Sequence, residues 1–358
     1  MKKYLLATVL SVFCLAANSQ TKKVLLEEFT GAYCGQCPMG AYFVDSMVNK
    51  HADLIAVSLH AYQSQDAMDF AQIDTLYTNY SAGAPLANVD RIYWGTWPYV
   101  AVGQNAWDGD IQTRLAVTPV LTVDVIPLTW NSVSRNISGQ VNVNILANMP
   151  TGDYRIGIYV VEDSVTGIGP GYDQVNLYNG VVGNPFYGLG DPIVGYVHRH
   201  VARALLPTSW GANGIISSTP ITGQNFSYAL NYTLSASYNE NKIKIVAFVY
   251  EFTTNHQGDE VFNAVEKTLL PTTGMNENLS EIFFNIFPNP SSGVFMITCS
   301  EKIEGIKITD VLGRVVHKQN ASTLLSVTLD LTKEPKGIYF VKVISENGIL
   351  ATRKIIIE

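Results

Sequence analysis

Hydrophobic positions along the first third of the chain fall into short blocks with two rhythms. Residues 24–29 (VLLEEF) and 54–59 (LIAVSL) are apolar runs of strand length, and 86–89 forms a shorter third. Residues 38–48 carry a helical pattern opened by Pro38, and 66–80 and 107–116 predict two more helices. Strands alternating with helices predict a small α/β unit over residues 20–118. Beyond Pro119 the period changes to two. Leu121, Val123 and Val125 alternate with polar residues, as do Val141, Val143 and Ile145, and then Tyr154, Ile156, Ile158 and Val160. Further runs at 226–238, 242–252 and 260–270 complete the pattern of an antiparallel β-sandwich over 119–270.

Two stretches interrupt this order. Residues 165–192 are rich in Gly, Asn and Tyr and read as a long loop, the kind of segment that often carries function. Residues 271–283 are a polar linker, and after it strand patterns at 294–299, 305–310, 314–317, 325–331, 338–344 and 352–357 predict a third unit, a small β-sandwich at 284–358.

Composition narrows the function classes. The 358 residues carry 47% hydrophobic and 15% charged residues with a formal charge of -7, so no basic stripe exists to neutralise phosphates, and nucleic acid is not an expected partner. Residues 1–19 have the form of a signal peptide: Lys2 and Lys3, an apolar run to Leu15, then small residues. Phe13 before Cys14 argues against lipid attachment, and no later segment reaches the roughly 20 apolar residues of a membrane-spanning helix.

Four cysteines are present, and Cys14 leaves with the leader. Cys34 and Cys37 stand two residues apart after the first apolar run, followed by Pro38, while Cys299 lies far away. A Cys-x-x-Cys pair opening a helix after a strand is the layout of a redox site. At a helix N-terminus unpaired N–H groups favour a thiolate at Cys34, and Cys37, one turn on, can resolve the mixed disulfide that forms. A purely structural disulfide is the competing reading. A loop this short gains only about 2 kcal/mol against about 3 for fifteen residues, so a staple would sit better between distant segments.

The first unit resembles thioredoxins. Glu28 lies six residues before Cys34, where thioredoxins carry a buried acid, and Ala84-Pro85 lies where that fold places its cis-proline beside the disulfide. Tyr33 and Gln36 depart from the usual Trp and Pro. The resemblance implies that Cys34, Cys37, Glu28 and Pro85 form the site, with Glu28 handling a proton of Cys37 at a pKa raised by burial. Residues 20 to about 270 resemble the 28-kDa outer-membrane protein family of Gram-negative bacteria, through TGAYCGQCP, PLANVDR at 85–91 and HRHVARALLPTSWG at 198–211. The last 75 or so residues resemble the type A sorting domain of type IX secretion cargo, through FPNP at 287–290, ITDVLGR at 308–314 and KGIYFVKV at 336–343.

Together these give an α+β multidomain chain: a thioredoxin-like α/β domain, an antiparallel β-sandwich and a small C-terminal β-sandwich sorting domain. The resemblances imply passage through the periplasm and across the outer membrane, to an extracellular or surface-attached position, with the type IX machinery as partner. Two functions follow. One is thiol–disulfide exchange on protein disulfides. The other is a non-enzymatic surface antigen or adhesin, whose sandwich binds a ligand and whose cysteine pair is static. No cofactor or metal is expected. Zinc needs a second Cys pair that is missing. His198 and His200 could begin a metal site, but a packed or solvated pair is the commoner outcome. Asp108-Gly109-Asp110 lacks the further acids of a calcium loop. Trp94, Trp97, Tyr99 and Trp107 read mainly as core or interface, with an exposed ligand platform as the alternative.

Overall fold

The computed structural model describes residues 21–95, 98–270, 284–345 and 350–358. The expected leader at 1–19, the linker at 271–283 and Trp97 lie outside the described residues. The chain begins with β1 (Val24–Phe29), α1 (Cys37–Lys50), β2 (Leu54–Leu59), α2 (Ala71–Tyr80), β3 (Leu86–Val89) and α3 (Gln104–Leu115). β1 and β2 pair in parallel, and β3 runs antiparallel on the other edge of β1. Every residue of β1 and β2 is buried, which explains their unbroken apolar runs: both faces are covered. Val24 and Leu26 share a core with Val44 of α1 and with Trp107 and Ile111 of α3. Leu25 and Phe29 share another with Ile73, Leu76 and Tyr80 of α2. Trp107 is therefore core, while Tyr99 is about one-third exposed at 37%.

Helix α2 starts five residues later than the pattern suggests, because Asp66 is used elsewhere. Its carboxylate accepts from the backbone N–H of Ala32 at 2.6 Å and of Met68 at 2.9 Å, and meets His60 Nδ1 at 2.8 Å.

The middle of the chain supplies β4 (Leu121–Asn131), β5 (Asn136–Ile145), β6 (Tyr154–Glu162), β7 (Val201–Leu206), β8 (Asn225–Thr233), β9 (Ile243–Glu251) and β10 (Val261–Thr268). β4, β5 and β8 form a three-stranded sheet. It faces β6, β9 and β10 across a core that includes Val123, Val141, Ile158 and Ile245, giving the expected two-layer packing. The second layer is shared. Its strands continue the first unit's sheet into one seven-stranded sheet, ordered β10-β9-β6-β7-β2-β1-β3. The junction is β7, a strand the hydrophobic pattern does not announce. It meets β2 at one residue pair, Ser58 with Val201, and Ser58 N–H donates to the His200 carbonyl at 2.7 Å.

Buried charge bridges the same junction. Arg91 holds Glu27 with two hydrogen bonds of 2.6 and 2.8 Å, and the Tyr159 hydroxyl of β6 donates to the same carboxylate at 2.6 Å. The Arg91 guanidinium lies 4.9 Å from the ring centre of Phe248 and 4.7 Å from that of Tyr250, both on β9. Next to it, Asp90 pairs with Lys22 at 2.8 Å and with Arg114 at 2.9 Å, and Arg114 reaches Glu260 at 2.6 Å. The PLANVDR segment thus ends in two residues that tie the first six elements to β6, β9 and the start of β10.

The C-terminal unit has β11 (Phe284–Phe287), β12 (Val294–Asp310), β13 (Val315–Asp330), β14 (Gly337–Ser345) and β15 (Leu350–Ile357). The strands expected at 294–299 and 305–310 are one long strand, as are those at 314–317 and 325–331. Hydrogen bonding makes a single five-stranded sheet here, not two separate ones. Register slips between Thr298 and Gly305 divide β12 into two halves, the first paired with β11 and the second with β14. Phe295, Ile297, Ile306, Leu329, Val341 and Ile355 belong to its buried core. No described helix is long and apolar enough to cross a membrane.

Candidate functional site: a covered disulfide

β1 ends at Phe29 and the chain turns immediately. Cys34 N–H donates to the Gly31 carbonyl and Cys37 N–H to that of Cys34, each at 3.0 Å. These turns bring the two sulfurs together as a disulfide. α1 starts at Cys37, three residues later than a helix opening on Cys34 would, and Pro38 occupies its first turn, where no intrahelical N–H is needed. The disulfide is closed to solvent: Cys34 is 4% and Cys37 1% exposed.

Glu28 lies beneath α1, on the β1 face that carries Val24 and Leu26. It is 1% exposed, and the Ser58 hydroxyl donates to its Oε2 at 3.2 Å. Its Oε1 has no hydrogen-bond partner among the described residues. Burial pushes the Glu28 pKa up to about 8, with the Ser58 bond opposing that rise and the charge of Asp45 adding to it. Gly40, one turn after Cys37, makes this close approach feasible: a Cβ there would collide with Glu28 Oε1 and the Pro85 ring. The Ala84-Pro85 peptide is cis. A cavity of about 10 Å³, room for about one water, is lined by Glu28, Cys37, Ser58, His60, Tyr196 and His198.

The cover is the segment between β6 and β7, residues 163–200, which contains the Gly/Asn/Tyr-rich stretch. The Gln174 amide nitrogen lies within 3.0–3.2 Å of the carbonyls of Gly31, Ala32 and Cys34. Val175 N–H donates to Ala32 at 2.8 Å and Leu177 N–H to Gly35 at 3.0 Å. The Leu177 side chain sits on Gly35 so closely that any Cβ at position 35 would overlap it. Asn176 braces this strap from within, donating from Nδ2 to the carbonyls of Phe186 and Gly190 at 2.9 Å each. No local motif marks Gln174 as a contact to the cysteine turn. The only sequence signal is the loop's length and composition.

The strap also closes the site from the histidine side. His60 and His198, far apart in sequence, meet edge to face with ring centres 4.9 Å apart. His198 Nε2 donates to the Tyr172 carbonyl at 2.7 Å, and burial together with His60 pushes its pKa down to about 3. His200 instead turns to Asp45, 3.4 Å away. Asp108 answers Lys50 and His51.

Residues 73–272, more than half of the 358, match the family model for outer membrane protein Omp28. The chain belongs to the Omp28 family. Residues 285–358 of this Omp28 protein match the secretion-system C-terminal sorting domain. That pairing makes it a type IX cargo exported to the cell surface or outer membrane. The Omp28 match takes in β3 with Asp90 and Arg91, the strap and β7, whereas Cys34 and Cys37 precede it. Among solved structures, HBP35 of Porphyromonas gingivalis is 18% identical with a TM-score of 0.53, covering 94% of this chain and 99% of that one. The two share a fold. A structural-genomics protein of Agrobacterium tumefaciens is 13% identical, with a TM-score of 0.46 over 72% of this chain and 99% of the other. A domain of the outer membrane lipoprotein Omp28 of Porphyromonas gingivalis is 16% identical, with a TM-score of 0.24 over 43% and 90%. No curated protein sequence matches.

Proposed function

We propose that this protein is an exported thiol–disulfide exchange protein, a thioredoxin-like module whose Cys34–Cys37 pair is kept under its own strap. The observation that carries the reading is the stacking of three features at one helix start: the disulfide, the buried Glu28 with its raised pKa, and the cis Ala84-Pro85 bond. A client thiolate attacks Cys34 Sγ, the Cys34–Cys37 bond breaks, and Cys37 departs as a thiolate. Glu28, still protonated at neutral pH, supplies the proton that thiolate takes up. In the reverse direction the Cys34 thiolate opens a client disulfide, and Cys37 gives its proton to Glu28 as it resolves the intermediate. The strap must swing aside for either direction to run.

The burial of both sulfurs favours a second reading, a surface antigen or adhesin with a locked disulfide. A redox titration of the mature chain, run beside an insulin-reduction assay, separates the two. Exchange predicts a potential above about -300 mV, the region below which structural disulfides fall, and loss of turnover in Cys34→Ser. A lower potential, with Cys34→Ser and wild type equally inactive, leaves the locked disulfide.

A further inference from the structure

The exchange chemistry leaves His60, a buried group on the cavity wall, unused. His60, at the end of β2, is 2% exposed and its Nδ1 lies 2.8 Å from Asp66 Oδ2. Asp66 also accepts from the N–H groups of Ala32 and Met68, and His60 with these bonds lowers its pKa against the effect of burial. An ionised Asp66 can only accept, so Nδ1 keeps its hydrogen and Nε2 is the nitrogen left to exchange a proton. Around His60 stand Glu28 from β1, Cys37 from α1, Asp66 beyond β2, and Tyr196, His198 and Arg199 from the strap.

We propose that His60, oriented by Asp66, relays protons between solvent and the Glu28–Cys37 pair through the water-sized cavity they share. This rests on the exchange reading above. Among the described residues Glu28 accepts one hydrogen bond, from Ser58, so a Glu28 carboxylate created by protonating Cys37 is poorly solvated and has to be reloaded. Once the strap closes again over the exchanged pair, it shuts out bulk water on that side and restores the cavity. His198 cannot serve, because its Nε2 hydrogen is engaged by the Tyr172 carbonyl and the ring stays neutral. His60 shares the cavity with both reacting groups and has a carboxylate behind it. Protons then balance: Cys37 takes one from Glu28, Glu28 takes one from the His60 imidazolium in the closed state, and His60 recovers one from solvent when the strap next opens. His60 is thus a positioning and relay residue, and Cys34 remains the nucleophile.

The test follows reduction of the oxidised mature chain by dithiothreitol across neutral pH, with rates normalised to the dithiothreitol thiolate. Wild type should show two ionisations, one absent in Glu28→Gln and the other absent in His60→Gln. The His60→Gln rate should fall about tenfold on the acid side and converge on wild type at alkaline pH. Asp66→Asn should displace the ionisation lost in His60→Gln without removing it. A His60→Gln profile that superimposes on wild type, or that is lowered equally at every pH, overturns the relay. Should His60→Gln fail to fold, the imidazole NMR titration of wild type decides. Its His60 midpoint should differ between the oxidised and reduced protein, and an unchanged midpoint also overturns the relay. A wild-type disulfide that dithiothreitol cannot reduce in the folded protein would instead remove the exchange reading itself.

Discussion

Glu28 places an ordinary carboxyl where ionising it is expensive, and that cost should be visible in stability as well as in chemistry. Its folded pKa of about 8 lies above the ordinary value of 4.5, so the folded state holds a proton that the unfolded chain releases between those values. The stabilisation is therefore complete below about pH 4.5 and is lost as pH rises through about 8, a contribution of order 5 kcal/mol. Glu28→Gln, which never ionises, should flatten this part of the profile. Urea unfolding at pH 5 and pH 8.5 should show the wild type losing more stability than the variant. Equal losses would mean that Glu28 is not held protonated. The residue was legible in the sequence because, of the two acids in an otherwise apolar strand, it is the one six positions before Cys34, where the resemblance to thioredoxins puts a buried acid. The pairing of Asp66 with His60 was not, since it depends on a loop after β2 folding back to the turn at Ala32.

At the scale of elements, the strap is the part whose role the sequence leaves open. The blocks at 24–29, 54–59 and 86–89 became β1, β2 and β3 with unchanged bounds, because strands buried on both faces write their limits in hydrophobicity. The strap buries little of its own bulk. Leu177 is 62%, Val182 81% and Leu189 44% exposed, so no periodicity records what it covers. Its hold on the cysteine turn is mostly backbone-directed polar contact, with Gln174 at the centre. Gln174→Ala removes the side-chain donor shared by the Gly31, Ala32 and Cys34 carbonyls, each of which keeps a backbone donor, and should loosen the strap by about 1–1.5 kcal/mol. Disulfide reduction by a small thiol should then speed up by roughly tenfold if opening limits the rate. Unchanged reduction kinetics would show that the strap is not the barrier.

For the molecule as a whole, the seven-stranded sheet matters more than the sum of its parts. Period-two patterning revealed both layers over 119–270, yet it could not reveal that one layer continues into the first six elements. That continuity depends on a single β2–β7 residue pair and on buried charge. Arg91→Met would strand Glu27 as an unpaired buried carboxylate and should cost about 3–5 kcal/mol in chemical unfolding. The Glu27→Met, Arg91→Met double variant should recover most of that loss, and a double variant as unstable as the single would contradict the pairing argument. At the other end, deleting residues 285–358 should leave the protein in the periplasm. Fractionation that still finds it on the surface would take the sorting role away from the C-terminal sheet.

The strap's place in the chain also sets an order of events. Gln174 follows Cys34 by 140 residues. At about 5–20 residues per second of synthesis, the cysteines precede their cover by roughly 7–28 s. A chain entering an oxidising compartment amino end first therefore shows the pair naked to whatever oxidant is present, and only later draws the strap across it. The lid becomes available only after both cysteines, and it closes over the pair in whatever oxidation state it then has. History, as much as equilibrium, then decides what the exported molecule carries to the cell surface.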